Sequence, residues 1–114
     1  MERARPMALL DFFLRGIDFL NNQREFKNIL IKGKIMRLSK KRSYYSTIYF
    51  KGYKSGEDSY GEATIYINLK DLKTKKDIIK ALAHEANHIT NIKVGANYYL
   101  DLLSEKFKND KNTH

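Results

Sequence analysis

The sequence predicts a small α+β domain: an N-terminal helix, a three-stranded and mainly antiparallel sheet, a helix carrying His84, Glu85 and His88, and a C-terminal helix. Three observations predict it. Apolar residues recur at three- and four-residue spacing near both ends of the chain, a period of two fills the middle, and polar turn residues separate the two regimes. The 114 residues suit one domain, 1–114, with 109–114 as a frayed polar tail.

Pro6 stands where a first helical turn tolerates proline. Leu10, Phe13, Leu14, Ile17 and Leu20 follow at helical spacing, so a core helix should run to about Asn21 and Asn22, with Phe12 and Phe19 widening its apolar surface. From Lys27 the period falls to two. Ile29, Ile31, Gly33 and Ile35 alternate with Lys32 and Lys34, which predicts a half-buried strand. After a polar turn at 39–43, residues 44–50 are rich in β-branched and aromatic types, and the two runs read as an antiparallel hairpin. Residues 54–59 read as a flexible connection to a third strand, 62–69. There Ala63, Ile65, Ile67 and Leu69 face one way, and Thr64, Tyr66 and Asn68 the other.

Thr74 and Asp77 have the spacing of a capping box, which starts the next helix. Ile78, Ile79, Leu82, Ala83, Ala86 and Ile89 give that helix its apolar face, and Gly95 is expected to end it. A last helix should span 96–108, with Leu100, Leu103 and Phe107 toward the core.

The motif helix contains His84-Glu85-Ala86-Asn87-His88, the pattern His-Glu-x-x-His. Residues four apart share a helix face, so both imidazoles can reach one tetrahedral zinc ion. Glu85, one residue round the helix, can then serve as general base toward a water that the ion activates. Ala83 and Ala86 are small and read as leaving room for metal and substrate. The chain has no cysteine, so a metal must rely on histidine, carboxylate and water. A third ligand should come from the helix folding back past Gly95. Glu105 and Asp101 lie four apart on one face, so both are available; Glu105, with the longer reach, is the first choice and Asp101 the alternative. Tyr98, Tyr99, Asn87 and Tyr66 are the candidates to steady an oxyanion.

The strand Ile65-Tyr66-Ile67-Asn68, the polar link and Leu82-Ala83-His84-Glu85-x-x-His88 together resemble zincin metallopeptidases, in particular the minimal ImmA/IrrE-like group of phage and mobile-element proteins. The run Ala96-Asn97-Tyr98-Tyr99-Leu100-Asp101-Leu102-Leu103 is similar to a later segment of that group, so the resemblance covers residues 61–105. It implies a zinc peptidase with His84 and His88 as ligands and Glu85 as catalytic base. It also implies a substrate-docking strand at 64–69, presenting Thr64, Tyr66 and Asn68. The family's glutamate ligand just before the Ala-Asn pair has no counterpart, because Val94 and Gly95 stand there.

Net charge is +9, from 22 Lys and Arg against 13 Asp and Glu. This balance favours a protein or peptide substrate of acidic character. The alternative is a basic binding module without enzymatic activity, contacting nucleic acid or an acidic partner through the tyrosine-rich sheet, with Tyr45, Thr47, Tyr49 and Lys51 on one strand face and Lys40, Lys41 and Arg42 nearby. No apolar run approaches the roughly 18 residues that cross a bilayer. Residues 7–20 are broken by Asp11, Arg15 and Asp18 and lack a small-residue cleavage site, which is not the pattern of a signal peptide. A cytoplasmic protein, monomeric or a small oligomer and free of membrane contacts, is the expectation.

Overall fold

The computed structural model describes residues 6–36, 53–55, 58–68, 74–90 and 94–109. Pro6–Asn21 forms the first helix, α1. Its buried stripe is Leu9, Phe12, Phe13, Ile17 and Leu20, whereas Leu14, placed by its spacing on the core side, is 46% exposed. Gly16 lies on this same buried stripe. It is buried, and a Cβ there would run into Leu82 Cδ1 of a later helix. The helices therefore meet through a glycine that a count of apolar residues passes over. A single 3₁₀ turn, Arg24–Phe26, then drops Phe26 into the core.

Strand β1 is Ile29–Met36, β2 is Tyr53–Ser55 and β3 is Asp58–Asn68, in the order β1-β3-β2. The expectation of a mainly antiparallel sheet is corrected here. The principal pairing, β1 with β3, is parallel over eight residues, from Ile29 opposite Gly61 to Met36 opposite Asn68. Among the described residues only the short β2 is antiparallel, with Tyr53 opposite Tyr60 and Ser55 opposite Asp58. Alternation at period two identifies the two faces of a strand but carries nothing about the direction of its neighbour. A parallel pair needs a long crossover, and the stretch between Met36 and Asp58 supplies the length. Of the connection expected at 54–59, residues 54, 55, 58 and 59 belong instead to the β2 and β3 pairing, and 56 and 57 lie outside the described residues. The expected partner run 44–50, together with Lys40, Lys41, Arg42 and Lys51, lies outside the described residues.

Ile29, Ile31, Ala63, Ile65 and Ile67 are buried on the helix side of the sheet. The opposite face carries Leu30, Lys32 and Lys34 beside Glu62, Thr64 and Tyr66, with Lys32 Nζ 3.3 Å from Glu62 Oε1. Gly61 donates its N–H to the Asn28 carbonyl at 3.0 Å. That bond fixes the phase of the parallel ladder, so the backbone groups of Glu62, Thr64, Tyr66 and Asn68 point away from β1. On the outer edge of β1, the Asn21 side chain bonds Ile31 twice: Ile31 N–H donates to Oδ1 at 2.8 Å, and Nδ2 donates to the Ile31 carbonyl at 2.9 Å.

The second helix, α2, is Lys75–Ile89. Its capping box is present: the Asp77 N–H donates to Thr74 Oγ1 at 3.1 Å and the Thr74 N–H to Asp77 Oδ2 at 3.2 Å. α2 stops at Ile89 rather than at Gly95. Gly95, with φ +86°, instead precedes α3, Ala96–Phe107. α3 buries Tyr99, Leu103 and Phe107 and leaves Leu100 only partly covered. Phe12 receives both Lys75 Nζ, 5.2 Å from its ring centre, and the Phe107 ring at 4.9 Å, while Thr90 bonds Tyr99. The start of α2 thus lies beside the end of α3, and the two helices run antiparallel. One apolar cluster joins α1, β1, β3, α2 and α3. No helix among the described residues is long and apolar enough to cross a membrane.

Candidate metal centre

Burial turns α2 so that its exposed residues are Lys76, Lys80, His84 and His88, one per turn. Leu82, Ala86 and Ile89 lie on the opposite side, because residues two positions apart on a helix differ by about 200°. Ala83 and Ala86 are therefore packed in the core and open no space for a ligand. The histidines stand side by side, with Nε2 atoms 3.2 Å apart and rings 4.7 Å between centres at 79°. Two nitrogens each about 2.05 Å from one zinc ion at the tetrahedral angle lie about 3.3 Å apart. The pair is already set to that separation. With the proton on Nδ1 of both rings, each Nε2 lone pair is available to a metal; with it on one Nε2, the same contact is an imidazole hydrogen bond.

Glu85 follows His84 but faces inward and is only 5% exposed. Even so, the donor atoms of His84, Glu85 and His88 all lie within 4.8 Å of one another. This group could hold a metal ion. Two imidazoles on one helix face, with a carboxylate beside them, suit zinc and other divalent ions of similar character.

Asp101 and Glu105 do not join the group. Both are exposed, and Glu105 Oε1 pairs with Lys108 Nζ at 2.8 Å. Each stands two residues from Leu103, and hence on the side of α3 away from its buried stripe. Among the oxyanion candidates, Asn87 is half-buried beside the histidines in sequence, and Tyr98 is 43% exposed with its ring edge-on to Tyr99. Tyr99 is fully buried and donates its hydroxyl to Glu25 Oε2 at 3.1 Å. Thr64 and Tyr66 are partly covered on the outer face of β3, and Asn68 is buried at its end.

Two features escaped the sequence reading. The inward turn of Glu85 was signalled by its spacing from Leu82 and Ile89, three and four residues away. The run of Lys76 and Lys80 on the histidine stripe was signalled by the same four-residue interval. No protein-family model, curated protein or solved structure matches the chain.

Proposed function

We propose that the protein is a small zinc-dependent peptidase, with His84 and His88 as metal ligands and Glu85 as general base. The observation that carries this reading is the 3.2 Å separation of the two Nε2 atoms, with the Glu85 carboxylate inside the same group. A zinc ion held there would supply Lewis acidity, polarising a peptide carbonyl and lowering the pKa of water toward roughly 7.

Glu85 takes the proton of the attacking water and returns it to the departing amine. Its carboxylate lies within 4.8 Å of both imidazole donor atoms, within reach of a water held between them. Asn87 or Tyr98 can donate to the developing oxyanion; the Tyr99 hydroxyl is engaged by Glu25. The backbone of Glu62, Thr64 and Tyr66 points away from β1, and among the described residues β2 pairs with β3 only at Asp58 to Tyr60. Among the described residues that edge is open to an extended peptide.

Zinc content and cleavage of an unfolded protein such as casein test this reading. The wild type should hold about one zinc per chain, and His84→Ala or His88→Ala should lose it. Glu85→Gln should keep the metal while cleavage falls by about 10² to 10⁴. Wild-type protein that binds no zinc, or Glu85→Gln protein that cleaves normally, refutes the proposal.

A further inference from the structure

The stripe that carries the histidines has one sign of charge. Lys76, Lys80, His84 and His88 are the exposed residues of α2, and both acids of the helix are withdrawn from them: Asp77 closes the capping box and Glu85 is buried. Among the described residues neither Lys76 nor Lys80 has an ion-pair partner, whereas Lys32 is held by Glu62 and Lys108 by Glu105. A second copy of the chain is a poor occupant, since it would set the same cations against each other in molecules of net charge +9.

We propose that this stripe selects the substrate, an acidic peptide segment lying along α2. The proposal rests on the peptidase reading of the same site. Four residues of helix rise about 6 Å. Carboxylates on one side of an extended chain recur roughly every 6.6 Å. A bond presented between His84 and His88 therefore carries acidic residues about three and five positions away, opposite Lys80 and Lys76. The lysines act on binding and bond selection; the imidazoles would hold the ion, and Glu85 acts on the bond as general base.

The test measures binding of a fluorescein-labelled peptide of alternating Glu and Ala to the full chain by anisotropy, beside the Gln and Ala counterpart. The Glu peptide should bind more tightly and lose affinity with added salt, as contacts between exposed charges do. Lys76→Gln with Lys80→Gln should weaken it about three- to ten-fold, the yield of two exposed ion pairs. Lys76→Glu with Lys80→Glu should reverse the preference toward an alternating Lys and Ala peptide, a gain that misfolding cannot produce. Equal binding of the Glu and Gln peptides, or binding that ignores both double variants, overturns the proposal. So does a labelled oligothymidine that binds more tightly through the same two lysines, which assigns the stripe to nucleic acid. The zinc content of the wild type separates the two readings. Glu-peptide binding that depends on the lysines, in a protein that never holds zinc, supports the acidic ligand and sinks the peptidase.

Discussion

Tyr99 ties three parts of the chain together. Its ring is fully buried against Phe26, with centres 5.6 Å apart, its hydroxyl donates to Glu25 in the 3₁₀ turn, and Thr90 bonds it from the end of α2. Burial above all, and the Glu25 charge in addition, push the phenol up to about 12 against the lowering effect of the Thr90 bond. An unfolded tyrosine ionises near 10. The folded state thus holds this proton more tightly, and the stability it contributes is complete below pH about 10 and lost as pH rises through about 12. Tyr99→Phe should cost about 1 kcal/mol at neutral pH, with the difference from wild type shrinking above pH 10, as urea denaturation at several pH values will read. The histidine pair was legible in the sequence because an i, i+4 relation on a helix is independent of tertiary structure. The third ligand was not. Asp101 and Glu105 were chosen by distance along the chain, yet Leu103 between them already fixed their side of α3.

At the scale of elements, close approach through glycine sets how helix meets sheet. A Cβ at Gly33 would come 2.5 Å from Phe13 Cε2, 2.7 Å from Cζ and 3.1 Å from Ile17 Cγ1. Both side chains are buried, so α1 would have to lift from β1. Gly33→Ala should therefore destabilise by about 1–3 kcal/mol, read as a lower melting temperature, although alanine is the better residue in an ordinary strand. The helices, β1 and the core of β3 were visible in the sequence because each repeats one period over several residues, and Thr74 with Asp77 marked the start of α2 by local chemistry alone. The strand pairing was not visible, since Ile29, Ile31 and Ile35 would alternate identically beside a parallel or an antiparallel neighbour. The rotation of α1 was hidden because Gly16 contributes no apolar side chain to a pattern.

At the scale of the whole molecule, an ion held by α2 is linked to folding, because the His84 and His88 geometry exists only while the helix does. Zinc at about 100 times its dissociation constant should raise stability by about 2.7 kcal/mol, a chelator should reverse the gain, and His88→Ala should abolish it. Unchanged melting of the wild type with zinc at that excess would contradict the linkage. The Asn21 clamp bears on another property of the whole chain, its behaviour in a crowded solution. A carboxamide that gives and takes one hydrogen bond each occupies the place of an absent neighbouring strand at Ile31. Because Asn21 is the last residue of α1, seating that helix and closing the sheet's border at Ile31 are one event. At that border, recruitment of another chain into shared β-structure is therefore confined to moments when α1 has come away, and its rate should follow helix detachment rather than the abundance of native protein.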